Sequence, residues 1–167
     1  MTDTNNTLQL DGLTPDWITA LRRFFITIAL GNIVWEFAHM PLYTIWTEGT
    51  PNEIIFAGIH CTGGDILIAG SSLMIAVLLF GRADWPNYRY KLVQAITMAL
   101  GVGYTFFSEW LNIEVREAWA YSEWMPVLPG TQTGLSPILQ WIVIPLLAFW
   151  WMGHTETKKR NTVVVSG

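Results

Sequence analysis

Apolar residues run in four long stretches along this chain, and short polar segments separate them. The stretches cover residues 21–46, 54–80, 92–111 and 135–152. A helix rises about 1.5 Å per residue, so each stretch is long enough to cross the roughly 30 Å hydrocarbon core of a bilayer. The pattern predicts an all-α fold: a bundle of four transmembrane helices with an interfacial segment between helices 3 and 4.

Basic residues predict how this bundle is oriented. If the four helices cross the membrane alternately, eight of the nine Lys and Arg residues share one side, and only Arg116 lies on the other. Cytoplasmic loops carry the excess of Lys and Arg. We therefore expect the inner membrane of a bacterium, with both termini in the cytoplasm and the connections 47–53 and 112–134 in the periplasm. The eight residues are Arg22, Arg23, Arg82, Arg89, Lys91, Lys158, Lys159 and Arg160.

Composition agrees with a membrane location. The chain is 51% hydrophobic and only 13% charged, which is too apolar for an ordinary soluble domain of this length. We expect one membrane domain, residues 1–153, and a flexible cytoplasmic tail, residues 154–167. The single cysteine, Cys61, excludes an internal disulfide and disfavours a disulfide oxidoreductase. No pattern indicates nucleic-acid binding, so the expected partners are membrane lipids, a hydrophobic small molecule, and other subunits of a homo-oligomer or larger membrane complex.

Polar residues interrupt every apolar stretch at a similar depth. Counted from the cytoplasmic end of each helix, Glu36 lies roughly 20 Å into the bilayer, Asp65 about 22 Å, Glu109 about 27 Å and Gln140 about 18 Å. Ionisable residues at such depth cost several kcal/mol unless they are paired, hydrated or liganded, so they usually face the bundle interior and mark function. We expect these side chains to meet in the periplasmic half of the bundle.

One hypothesis for this site is a transition-metal centre. The spacing Glu36-x-x-His39 puts a carboxylate and an imidazole on one helical face, as in carboxylate-bridged di-iron bundles. His60, Asp65 and Glu109 would complete a ligand set of imidazoles and carboxylates, which suits zinc, iron, manganese or copper. A haem between His39 and His60 is a lesser alternative. Such a centre could serve an enzyme that acts on a hydrophobic substrate.

A second hypothesis needs no metal. A carboxyl group in a low-dielectric pocket keeps its proton and can act as a general acid, while another group accepts a proton elsewhere on the substrate. The reaction would be isomerisation, cyclisation or hydrolysis of a lipid or isoprenoid. The catalytic candidates are Glu36, Asp65 and Glu109. The candidate substrate-binding residues are Asn32, Tyr104, Arg116, Tyr121 and Gln140.

A third hypothesis is a structural or assembly subunit of a membrane complex. In that case the polar residues only tie the helices together through interhelical hydrogen bonds of about 0.6 kcal/mol each. Two histidines and three carboxylates at one level, with only Arg116 nearby to neutralise them, exceed what packing requires and favour a functional site. A stoichiometric metal in the purified protein would support the first hypothesis, and a bound lipid-like molecule without metal the second.

The segment 112–134 is too long and too aromatic to be an idle linker. We expect it to lie at the headgroup level, where Trp and Tyr side chains are enriched. It would act either as a lid over the polar site or as a cap that only seals the bundle.

Several short strings resemble other membrane proteins. Residues 32–36 (Asn-Ile-Val-Trp-Glu), 60–65 (His-Cys-Thr-Gly-Gly-Asp), 103–112 and 134–137 resemble a group of small uncharacterised bacterial four-helix integral membrane proteins, and this resemblance implies no activity. The element Asn32-x-x-Trp35-Glu36 also resembles the acidic motif of fungal integral-membrane terpene cyclases. In those proteins the carboxyl acts as a general acid, although the present chain has fewer predicted helices than their fold.

Overall fold

The computed structural model describes residues 16–83 and 85–165, and these residues are helical apart from their connections. The α-helices are α1 (Asp16–His39), α2 (Ile45–Glu48), α3 (Pro51–Phe80), α4 (Tyr90–Trp110) and α5 (Leu135–Val165). A 3-10 turn follows α1 and a π-helical turn follows α4. Within the described ranges, β-structure is limited to two isolated bridges, so the predicted all-α class is confirmed.

Three of the helical segments are long and apolar enough to cross a membrane: Trp17–Leu42, Pro51–Phe80 and Leu135–Gly153. Their outward side chains are large and apolar, with Leu67 and Leu78 74% and 75% exposed. Such side chains are stable in contact with lipid tails and costly in water. These features support a membrane protein. A crossing by α4, the fourth long helix, stays a prediction.

The four long helices form a closed ring, in which α1 contacts α3 and α5, and α4 contacts the same two helices from the opposite side. At one end the ring is filled by an apolar core in which Phe24 and Phe149 meet edge to face at 5.4 Å. Towards the other end, a Cβ atom on Gly101 of α4 would lie only 2.2 Å from the Trp141 ring of α5. Glycine is therefore required at this crossing, and it fixes Trp141 beside the polar residues described below.

Helix ends differ from the predicted spans because local signals override the apolar pattern. The first stretch was expected to continue to residue 46, but α1 ends at His39, since Pro41 lacks the N–H that would continue the helix. Helix α3 begins earlier than expected, at Pro51, because Thr50 and Glu53 form a capping box. Helix α5 continues to Val165, through most of the segment expected to be a flexible tail, and residues 166–167 lie outside the described residues.

The connection between α4 and α5 is tied across the polar end of the ring. Thr44 donates its backbone N–H to the Ala120 carbonyl at 3.0 Å, and Ser122 donates to the Leu42 carbonyl at 2.9 Å. At the other end of the connection, Leu135 donates to the Pro126 carbonyl at 2.7 Å. We call residues 116–134 the strap. In the chain they connect α4 to α5, and their hydrogen bonds reach across to the turn that follows α1. These bonds hold the strap against the bundle.

Candidate functional site

A cavity of about 270 Å³ lies at the strap end of the bundle, and all four long helices contribute to its wall. Most of the predicted site residues line this cavity: Glu36, His39, His60, Asp65, Tyr104, Glu109, Arg116 and Gln140. The other two do not line the cavity but are hydrogen-bonded to residues that do: Asn32 to Gln140, and Tyr121 to Glu109. The structure therefore brings the predicted residues to one place, while their roles stay predictions.

Glu36 of α1 and Asp65 of α3 both line this cavity, and one side-chain amide of α5 lies within hydrogen-bond distance of both carboxyl groups. The side-chain amide of Gln140, 2% exposed, lies 2.8 Å from Glu36 Oε1 and 3.0 Å from Asp65 Oδ2. The same amide nitrogen lies 2.8 Å from Asn32 Oδ1. Trp141, the residue after Gln140, also lines the cavity. Three helices are thus joined by one carboxyl pair and its donor.

The hydrogens available to this cluster are fewer than its acceptors. An amide nitrogen has two hydrogens, yet three acceptor oxygens lie within hydrogen-bond distance of Gln140 Nε2. Two carboxylates held by one donor also repel each other. One proton between Glu36 and Asp65 would satisfy both conditions.

His39 holds the other side of Glu36. Its Nε2 lies 3.3 Å from Glu36 Oε2, and its Nδ1 lies 3.0 Å from the Ser136 hydroxyl. The Trp35 indole N–H donates to that hydroxyl at 3.3 Å, and an indole nitrogen can only donate. In the simplest complete pattern, Trp35 donates to the Ser136 hydroxyl and this hydroxyl donates to His39 Nδ1. A neutral imidazole then carries its hydrogen on Nε2, which faces Glu36.

A second acidic group lies on α4. Glu109 is 7% exposed and accepts a hydrogen bond from the Tyr121 hydroxyl, which in turn accepts one from the Gly134 N–H at 2.7 Å. Burial and the neighbouring Glu109 raise the pKa of Tyr121, so its phenol keeps its hydrogen at neutral pH. Burial, then Glu109, also raises the pKa of Tyr43, whose ring packs against Tyr121 at 5.4 Å. The strap thus positions the Glu109 carboxyl.

The cavity rim carries the more exposed predicted residues. His60 is exposed and stacks on the Phe56 ring at 5.4 Å, one turn earlier on α3. Arg116 is exposed at the start of the strap. Trp119 lines the cavity with a buried indole N–H that has no partner there. It is a donor that a ligand could use.

The predicted five-ligand metal centre is not assembled by these contacts. Among residues 16–83 and 85–165, no three His, Cys, Asp or Glu side chains are arranged so that they could hold an ion. The carboxyl groups of Glu36 and Glu109 are hydrogen-bonded to Gln140 and Tyr121, respectively. The His60 ring stacks on Phe56. The metal centre stays a prediction, and the hydrogen-bond geometry suits a proton-sharing site better.

Several residues of this site were missed from the sequence. Ser136 lies one helical turn before Gln140 on the same face of α5, so the spacing of four residues could have identified it. Tyr43 and Trp119 lie outside the long helices, where periodicity gives no signal. Trp141 follows Gln140 directly in the sequence. Its orientation depends on the close approach of the α4 backbone at Gly101, which the sequence pattern does not reveal.

Comparison of the chain with protein-family models, with curated proteins and with solved structures found no match in any of the three. The functional interpretation below therefore depends on the geometry of the cavity.

Proposed function

We propose that this protein is an enzyme of the bacterial inner membrane that carries out acid–base chemistry on a lipid or isoprenoid. In this proposal all four long helices cross the membrane, both termini are cytoplasmic, and the strap is periplasmic. The observation that carries the proposal is that Glu36 and Asp65 line one cavity, large enough for part of a substrate, and lie 2.8 and 3.0 Å from the same Gln140 amide nitrogen. We infer from this arrangement that the two carboxyl groups share one proton. Carboxyl groups kept protonated in low-dielectric sites are suited to general acid catalysis.

The second carboxyl group supplies the complementary function. In an isomerisation, the proton of the Glu36–Asp65 pair is transferred to one atom of a substrate double bond, and Glu109 removes a proton from a neighbouring carbon. The double bond shifts, one proton enters and one leaves, and no co-reactant is needed. Asp65 is the cavity-facing donor, since it is less buried than Glu36. His39 and Tyr121 act as positioning residues, because they contact Glu36 and Glu109 from behind.

Infrared difference spectroscopy of the protein in lipid vesicles tests the shared proton. We expect a carbonyl band of a protonated carboxylic acid at neutral pH, and we expect Asp65→Asn and Glu36→Gln each to abolish it. Glu48→Gln, at an exposed carboxyl on α2, is the matched control and should leave the band unchanged. A wild-type spectrum without this band at neutral pH would contradict the proposal.

Solvent isotope incorporation tests the reaction itself. Vesicles of the wild-type protein and a bacterial lipid extract are incubated in heavy water, and the lipids are analysed by mass spectrometry for incorporated deuterium. A proton-transfer enzyme should label one lipid or isoprenoid species, and Glu109→Gln should abolish the labelling. An unlabelled extract combined with a loss of stability in Glu36→Gln and Asp65→Asn would favour a structural subunit. A stoichiometric metal lost in a Glu36→Gln and His39→Ala double variant would favour the metal centre.

A further inference from the structure

We propose that the substrate reaches the carboxyl pair sideways from the bilayer, through an opening between α3 and α4 at Gly64 and Tyr104. This inference rests on the proposed function and adds the route and the class of substrate. The substrate is a bilayer-dissolved molecule whose hydrocarbon chain lies in the opening while its reactive group contacts Asp65.

Two observations locate the opening. Tyr104 of α4 lines the cavity, yet it is 45% exposed on the outside of the bundle, so the cavity reaches the surface beside it. Gly64 of α3 also lines the cavity, and a Cβ atom built there would meet no atom within 4 Å. Gly64 therefore borders open space on this wall, and no side chain fills it. Asp65 directly follows Gly64 on this wall.

The opening lies at the depth of the hydrocarbon core. Asp65 follows Pro51 by fourteen residues and precedes Phe80 by fifteen, so it lies about 21 Å from the start of α3 and near the middle of the helix. Large apolar side chains are exposed on α3 and α4 at a similar distance along the helices, with Leu67 74% and Phe107 51% exposed. Since α3 is long and apolar enough to span a membrane, lipid tails surround this part of its surface.

The position of the carboxyl pair explains why this route suits a hydrophobic molecule. A water-soluble substrate would approach from the strap end, where backbone hydrogen bonds join residues 120 and 122 to the turn after α1 and residue 126 to the start of α5. A molecule dissolved in the bilayer meets no such barrier at Gly64. Its hydrocarbon chain can stay among the lipid tails while only the reacting end enters the cavity. No other polar group then has to be moved out of water.

Carbodiimide labelling tests the route without a known substrate. Dicyclohexylcarbodiimide is hydrophobic and adds to protonated carboxyl groups, whereas its charged, water-soluble counterpart reacts from the aqueous phase. In vesicles we expect the hydrophobic reagent to modify Asp65 or Glu36 in the wild-type protein, as read by peptide mass spectrometry. Gly64→Leu should slow this modification by about an order of magnitude, since the new side chain fills the opening.

Gly63→Leu is the matched control. A Cβ atom at Gly63 also meets no atom within 4 Å, but Gly63 does not line the cavity, so this variant should be labelled as fast as the wild type. A second pair keeps the test decisive if leucine at residue 64 prevents folding. Tyr104→Ala should accelerate labelling severalfold, while Phe107→Ala, one turn along α4 and outside the cavity wall, should not.

Two results would overturn the lateral route. One is a labelling rate that neither Gly64→Leu nor Tyr104→Ala changes, and the other is faster modification of Asp65 by the water-soluble reagent. Either result would leave the infrared band and the deuterium incorporation intact, so the proposed acid–base function would stand with a different entrance. Loss of the infrared band in the wild-type protein would contradict the proposed function instead.

Discussion

At the scale of single residues, the side chain of Gln140 holds the site together. It faces one oxygen each from Asn32, Glu36 and Asp65, which come from two other helices. Its two hydrogens cannot serve three acceptors fully, and the proton that we propose for the carboxyl pair would meet this shortage. The amide is therefore consistent with the protonation state that the proposed chemistry needs.

Replacing this amide tests its structural contribution. Gln140→Leu leaves buried oxygens without a donor, and each unsatisfied group costs about 1–3 kcal/mol. We expect a drop of that size in the free energy of unfolding, measured by denaturant titration in mixed micelles. Gln94→Leu is the control, since Gln94 is half-buried and makes no side-chain hydrogen bond within the described residues. Equal losses in the two variants would contradict the role assigned to Gln140.

The buried tyrosines of the strap end predict a loss of stability at alkaline pH. The pKa values of Tyr43 and Tyr121 are raised in the folded protein, so folding favours their neutral form. This contribution is complete below the ordinary tyrosine pKa of about 10 and is lost as the pH rises above it. The Tm should therefore fall steeply above about pH 10. The fall should be shallower in Tyr121→Phe but unchanged in Tyr88→Phe, whose ring is exposed.

At the scale of helices, the crossing of α4 and α5 determines where the site lies. Gly101 lets the Trp141 ring approach the α4 backbone, and Trp141 also lines the cavity that contains Asp65. Close packing of two helices at a small residue is common in membrane proteins. Here it also positions an aromatic side chain in the cavity wall. Packing and the shape of the proposed site are therefore coupled at this crossing.

Two alanine variants of α4 should have opposite effects. In Gly101→Ala the new Cβ atom would lie 2.2 Å from the Trp141 ring, so α4 must move away, at a cost of about 1–3 kcal/mol. In Gly103→Ala the Cβ atom meets nothing within 4 Å, and the higher helix propensity of alanine should stabilise α4 by up to about 1 kcal/mol. Unfolding titrations of both variants measure the difference, and destabilisation by Gly103→Ala would be inconsistent with the observed packing.

At the scale of the whole molecule, the hydrophobic pattern predicts the helices better than their ends. A long apolar stretch in a membrane must satisfy its backbone hydrogen bonds internally, so it forms a helix. The helix ends depend on single residues instead: Pro41 after α1, and Thr50 and Glu53 at the start of α3. Counting depth along each helix brought Glu36, Asp65 and Glu109 to one level, and all three line one cavity. Depth alone does not give the hydrogen bonds from Ser136 to His39 and from Tyr121 to Glu109, because bonding between distant segments also depends on side-chain direction.

The distribution of basic residues predicts the orientation of the whole molecule, and accessibility labelling can measure it. In a Cys61→Ser background, single cysteines are introduced by Ala83→Cys, between α3 and α4, and by Thr131→Cys, in the strap; both positions are exposed. A membrane-impermeant maleimide should label residue 131 in cells whose outer membrane alone is permeabilised. Residue 83 should react only after the inner membrane is opened, because its loop carries Arg82 and Arg89. The reverse order of labelling would place the carboxyl cavity in the cytoplasmic half of the membrane.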